Sequence, residues 1–415
     1  MNAIAPVPAT GTFRSLRVHN FRLWAAGALI SNIGTGMQRT AQDWLVLTQL
    51  TDHNATAVGI VTGLQFAPQV LLLPWTGTAA DQLDRRKLLL ATQSVLAVLA
   101  LALGLLAVSG LVQTWHVYGL ALLLGCTTAF DIPARQTFVA ELVGEADLAN
   151  AVALNSAMFH GAQLVGPAAA GLLVGVIGTG AVFLINAASY LAPIVALARL
   201  RLDALHRNER AARRRGSMRE GLRYVGGRPD LLAVLGMLFL IGTFGLNFPI
   251  FISTMSVKVF HADASAFGLL ASSMAAGSVV GSLLAARRER PRMGFLVGGA
   301  ALFGIGLGLA ALTPNYVLFG IALVLVGLAF QTFTTSANGA IQLGTEPAMR
   351  GRVMAILIAI TLGGTPIGGP LVGWVADHLG PRWALAVGAT AGLLAALVGL
   401  LQLSSRRSRQ MSATL

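Results

Sequence analysis

The sequence predicts an all-α polytopic membrane protein whose twelve transmembrane helices form two pseudo-symmetric six-helix bundles. Three observations carry that prediction. Of the 415 residues, 55% are hydrophobic and only 11% charged, with 48 glycines, whereas an ordinary soluble domain is about a quarter charged. Apolar runs of about 18 residues or more, long enough to cross hydrocarbon, recur from end to end. The basic residues sit in alternate connections between those runs, as in loops held on the cytoplasmic side of a membrane. The glycines let helices in lipid approach closely.

A helix rises 1.5 Å per residue, so about 20 residues cross about 30 Å of hydrocarbon. On that measure the spans fall at 21 to 48, 56 to 79, 88 to 109, 115 to 137, 150 to 175 and 181 to 199. The second six fall at 231 to 255, 264 to 286, 293 to 312, 316 to 340, 352 to 376 and 383 to 403. With the N-terminus inside, 26 Lys and Arg fall on the inner side. Only Lys258 and Arg382 fall outside, and Arg39 lies within the first span. That asymmetry predicts both termini in the cytoplasm and an even number of spans. The polar N-terminus lacks a basic region, a short apolar stretch and a cleavage site in sequence, so the first span is expected to be retained.

The longest connection, from Arg201 to Asp230, predicts three parts: a first bundle over 1–200, a basic cytoplasmic linker over 201–230 and a second bundle over 231–415. The linker reads as amphipathic and drawn to anionic lipid. The net charge of +13 follows from loop topology, and no nucleic-acid partner is expected. An internal repeat supports the division. Gly166-Pro167 recurs as Gly369-Pro370, Leu124-Gly125 as Val326-Gly327, and Ala57-Val58-Gly59 as Ala266-Phe267-Gly268. Duplicated halves in parallel orientation are a transporter pattern.

The connection after the second span reads Gly77-Thr78-Ala79-Ala80-Asp81-Gln82-Leu83-Asp84-Arg85-Arg86. It resembles the signature loop of the major facilitator superfamily, departing from it at Gln82 and Asp84. The corresponding second-half connection, Gly281 to Arg292, keeps basic residues but has no aspartate four after its glycine. Ala162-Gln163-Leu164-Val165-Gly166-Pro167 through Gly171 is similar to that family's antiporter motif. The stretch from Asp131-Ile132-Pro133-Ala134-Arg135-Gln136 through Glu141 to Asn155 resembles the branch of enterobactin exporters and multidrug efflux proteins. The resemblance implies the major facilitator fold and secondary transport, usually driven by protons.

Asp81, Arg85 and Asp131 fall at the inner ends of spans two and four. An Arg between two carboxylates would make a fork-shaped, charge-assisted relay. With Gly77, Arg86 and Arg135 they form an expected cytoplasmic gating latch. The bland alternative is that these charges only stop helices and orient the loop. Arg39 and Asp43 lie four residues apart, hence on one helical face. A charge at that depth is costly unless paired or wetted. The face is therefore expected to line a cavity, with Asp43 exchanging the coupled proton and Arg39 beside it, although a self-contained ion pair fits the same spacing. Gly166, Pro167 and Gly171 are expected to bend span five and seal the halves, since Pro removes a helix hydrogen bond. Gln42, Gln65, Gln69, Asn155, Gln163, Asn247, Gln331 and Asn338 are candidate cavity residues, some of which are expected to bond neighbouring helices instead.

Other chemistries lack their signatures. The chain contains no phosphate-binding glycine loop with Lys, its seven His make no close-spaced ligand pair, and Cys126 is alone, so no metal, cofactor or catalytic residue is expected. The expected activity is proton-coupled antiport that exports a small organic molecule, such as a drug, siderophore or other amphiphilic metabolite, from a bacterial cytoplasm. The expected partners are that substrate, protons and the bilayer of the inner membrane, with the protein a monomer. A uniporter or importer of the same fold is the nearest alternative, and a receptor or channel the alternative of another class.

Overall fold

The structure is a computed structural model that describes residues 13–206, 218–286, 293–346 and 349–414. Among these residues twelve helices cross the molecule. In the first half, α1 is His19–Trp44 and α2 is Ala55–Leu71 continued by Leu73–Gln82. The next helix, α3, is Arg85–Val108, and α4 is Thr114–Glu145. The helical run Asp147–Ala198 holds both α5 (147–177) and α6 (179–198). In the second half, α7 is Pro229–Val259, α8 Ala264–Ala286, α9 Met293–Leu312, α10 Tyr316–Gly344, α11 Arg350–His378 and α12 Pro381–Thr414. A short helix, Met218–Gly226, precedes α7.

Local chemistry places the boundaries. Gly144 and Gly178 separate α4, α5 and α6 by adopting φ of 69° and 81°, a backbone region that side chains with a Cβ avoid. Asn54 caps α2 by accepting from the Ala57 amide at 2.9 Å, Asp84 caps α3 through Lys87 at 3.0 Å, and Asn315 caps α10 through Leu318 at 3.0 Å. Such caps satisfy amides that have no partner inside the helix.

Helical dihedrals run through Gly166-Pro167, and in α11 the helical hydrogen bonding is interrupted at Gly364, two residues before Pro366, while the dihedrals of Gly364 stay helical. The α7 helix breaks at Leu246 and Asn247, ahead of Pro249. These two interruptions face one another, since a Cβ on Gly364 or Gly368 would collide with Thr243 of α7. Each interruption lies just ahead of a proline, Pro249 or Pro366, which has no backbone N–H to give the preceding turn.

The halves meet along two symmetry-related seams, α2 against α11 and α5 against α8. Glycine makes both possible. A Cβ on Gly59 would strike the carbonyl of Gly369, and one on Gly373 would lie 2.6 Å from the Ala55 carbonyl oxygen. Across the other seam, a Cβ on Gly171 would lie 2.6 Å from the Ala264 carbonyl oxygen and 3.0 Å from the Gly268 Cα. Trp44 of α1 stacks on Phe267 of α8, with ring centroids 5.8 Å apart.

All these contacts lie toward one end of the molecule, the end that carries Lys258 and Arg382. The α5 face that packs on α8 through Pro167 and Gly171 continues at helical spacing through Gln163, Ser156 and Ala153, which are exposed. The space between the halves therefore opens toward the opposite end, which carries most of the arginines.

Candidate functional site

Polar side chains within the first half form two clusters. The first surrounds Asp131 on α4, whose side chain is 5% exposed. Its carboxylate accepts from Thr92 Oγ1 and Gln93 Nε2 of α3, both at 2.7 Å, and from Arg135 Nε at 3.2 Å. Arg135 also donates to Asn32 of α1 at 3.2 Å and lies over the Trp24 ring at 5.6 Å. A buried acid is tolerable when its charge is balanced and its lone pairs are satisfied, and these neighbours on α3 and α4, with Arg135 anchored to α1, do both.

The expected relay through Arg85 has a different geometry. Arg85 pairs with Glu141, near the end of α4, and Arg86 donates to the Leu197 carbonyl at 2.7 Å. Glu141 lies ten residues beyond Asp131, nearly three turns along the helix, so Arg85 does not join Asp131. The side chains at Gly77 and Asp81 lie outside the described residues. Proximity of Asp131 and Arg135 is local, at i and i+4, whereas helix packing sets the partner of Arg85.

The second cluster surrounds the middle of α1. Thr35, Gln38, Arg39, Gln42, Gln65 and Thr128 border a recess of about 20 Å³, room for a water molecule. Gln42 is buried with its Nε2 unpaired. Arg39 is exposed although it lies near the centre of its span, and Asp43 one turn away is half-buried. Among the described residues the two form no ion pair within 4 Å, unlike Asp131 and Arg135 at the same spacing. Behind the recess, Gln38 accepts from Asn186 of α6, and Thr35 meets the Tyr190 hydroxyl at 3.1 Å.

The other candidate cavity residues disperse. Gln69 donates to the Gln65 carbonyl at 3.0 Å, Asn247 to the Thr243 carbonyl at 2.8 Å and Asn338 to the Thr334 carbonyl at 3.0 Å, each within its own helix. Gln331 donates to Thr335 at 3.3 Å, and Asn155 is half-buried. Gln163 is exposed on the α5 face that looks between the halves. Gly166 packs on Gly36 of α1 within the first half, whereas Gly171 packs across to α8. Among the described residues no three His, Cys, Asp or Glu side chains gather as metal ligands.

Sequence reasoning missed Thr92, Gln93, Glu141, Asn186 and Tyr190. The polar pair Thr92-Gln93 inside an apolar run was the legible signal. It also missed Asp377 on α11, whose bonds reach the start of α2.

Twelve helices in two six-helix bundles that close at one end and open at the other make the major facilitator fold. Solved structures agree on the fold. The nucleoside transporter NupG matches with a TM-score of 0.72 at 12% identity, over 92% of this chain and 99% of its own. A bacterial homologue of the human lysosomal transporter Spinster matches with a TM-score of 0.70 at 15% identity, over 95% and 97%. The chain belongs to the major facilitator family described as "Transmembrane secretion effector", whose pattern it matches over residues 10–414. Its relatives include the staphyloferrin A transporter of Staphylococcus aureus, 26% identical over 84% of this chain and 87% of the relative. They also include the multidrug efflux pump Tap of Mycolicibacterium fortuitum, 27% identical over 85% and 88%, and macrolide efflux protein A of Streptococcus pyogenes, 23% identical over 89% and 92%.

Proposed function

We propose that the protein exports a small, amphiphilic organic molecule from a bacterial cytoplasm by proton-coupled antiport, using alternating access between its two halves. The carrying observation is Arg39: a cation exposed at mid-span, one turn from Asp43 and beside a polar recess. A charge in hydrocarbon costs at least about 2.5 kcal/mol, so an exposed one at that depth requires water around it. On this reading Asp43 takes up and releases the coupled proton. The Asp131 cluster, already satisfied by its neighbours, holds α1, α3 and α4 in register. Gly77, Asp81, Arg85, Arg86 and the end of α4 gate the cytoplasmic side.

The arginine-bearing end faces the cytoplasm, by the strong preference of Arg for that side. The open space between the halves then faces the cytoplasm, where cargo of an exporter is loaded. The domain division at 201–230 follows, with the linker on anionic lipid and the protein acting as a monomer. Relatives named for multidrug efflux, macrolide efflux and staphyloferrin A transport support a cargo that is organic and larger than a simple ion.

The test is accumulation of a compound panel in proteoliposomes with and without an imposed pH gradient. Accumulation should follow the gradient, and Asp43→Asn should abolish it while counterflow of labelled cargo persists. Gradient-driven accumulation unchanged in Asp43→Asn removes the coupling assignment. Equilibration without counterflow identifies a channel.

A further inference from the structure

The narrow end of the molecule is held by one carboxylate that spans the two halves. Asp377 lies at the end of α11, in the second half. Its Oδ1 accepts from the Ala55 amide at 2.8 Å, and its Oδ2 accepts from the Thr56 amide at 2.8 Å and the Thr56 hydroxyl at 2.7 Å. All three donors belong to the first turn of α2, in the first half. Lys258, at the end of α7, pairs with the same carboxylate at 2.9 Å. The Asp377 and Lys258 side chains are 16% and 24% exposed.

A helix start leaves its first amides without partners and carries partial positive charge. Asn54, in the same chain segment, satisfies only the Ala57 amide. The Ala55 and Thr56 amides are satisfied from the opposite half, so α2 has a complete cap only while the halves touch here. Among the described residues the seam related by symmetry, α5 against α8, is bridged by hydroxyls instead: Ser265 donates to the Gly171 carbonyl at 3.4 Å and Ser272 to the Leu164 carbonyl at 2.8 Å. Directly beneath the carboxylate, Gly373 and Gly369 let α11 approach α2 closely enough for Asp377 to reach.

We infer that Asp377, capping α2 across the halves and held by Lys258, is the latch of the extracellular gate, closing the outer side while the inner side is open. The inference rests on the alternating-access reading and on its orientation. Loss of the carboxylate removes three hydrogen bonds between the halves from the closed arrangement, whereas the pair with Lys258 lies within the second half and serves to hold the carboxylate in position. The loss therefore shifts the balance toward outward opening.

The test uses the full chain, with Cys126→Ser, reconstituted in lipid and spin-labelled at two cysteine pairs that span the halves. Asp52→Cys with His261→Cys reports the outer end, and Leu83→Cys with Leu343→Cys the inner end. Distances are measured in unmodified, Asp377→Ala and Lys258→Met backgrounds. Asp377→Ala should raise the ratio of outward-open to outward-closed molecules about tenfold or more, with the inner pair closing in step. Lys258→Met, which keeps the cap, should shift the ratio in the same direction by a smaller factor and serves if Asp377→Ala fails to fold. Exchanging the charges, Asp377→Lys with Lys258→Asp, should not restore the balance, because an ammonium has no lone pair to offer the α2 amides.

Full rescue by that exchange, or unchanged ratios in Asp377→Ala and Lys258→Met while the reference protein still alternates, overturns the latch alone. A reference protein whose two pairs never change distance in opposite directions overturns alternating access itself.

Discussion

Two acid-arginine pairs in the first half share i, i+4 spacing and differ in what surrounds them. Asp131 is held by Thr92, Gln93 and Arg135, a complete set of partners that resists rearrangement. Removing one partner from a buried ion pair leaves the other charge uncompensated, at about 3 kcal/mol or more. Asp131→Ala should therefore lower unfolding stability in detergent by about 3 kcal/mol, with a smaller loss in Asp131→Asn, whose amide oxygen still accepts from Thr92. Equal stability of Asp131→Ala and the parent would show that the cluster contributes nothing to folding. Among the described residues Asp43 has no such set of partners, and Arg39 one turn away is exposed.

At the scale of elements, glycine governs which helices move past each other. The α2–α11 and α5–α8 seams bring backbones together at Gly59, Gly369, Gly171 and Gly268, where a side chain would strike the opposing main chain. Replacing Gly59 by Leu should prevent closure at that end and reduce transport about tenfold or more, because overpacking a tight contact costs about 1–3 kcal/mol. Gly119, in α4, has nothing within 4 Å of where a Cβ would sit. Gly119→Ala should leave transport intact and stabilise the helix by up to about 1 kcal/mol. Transport rates in membranes matched for protein level check both, and an active Gly59→Leu protein would remove the seam from the gating account.

Across the whole molecule, α11 is bonded at both of its ends. Its far end carries Asp377, bonded to α2 and Lys258, and Arg352 near its start pairs at 3.2 Å with Glu220 on the short helix before α7. A helix tied at both ends and interrupted at Gly364 is suited to relay a change at one face to the other. The proposed orientation is checked by impermeant labelling of intact cells. A cysteine at His261 should react from outside and one at Leu83 only after permeabilisation, and the reverse pattern would invert the transport direction argued from the arginines.

Hydrophobic length, the distribution of Arg and the repeated Gly-Pro and Ala-x-Gly patterns were sufficient for the twelve-helix architecture. Each is a local consequence of placing a chain in hydrocarbon: a span must be long and apolar, and a backbone bond lost to proline or a contact made by glycine is written in the residue itself. The Asp131–Arg135 pair was legible for the same reason, since one turn of helix brings its members together. Tertiary packing alone decided that Arg85 meets Glu141 and that Asp377 caps a helix more than three hundred residues away in sequence. Those partners depend on which helix faces lie opposite one another when the helices pack, and helical periodicity describes each face without naming its neighbour.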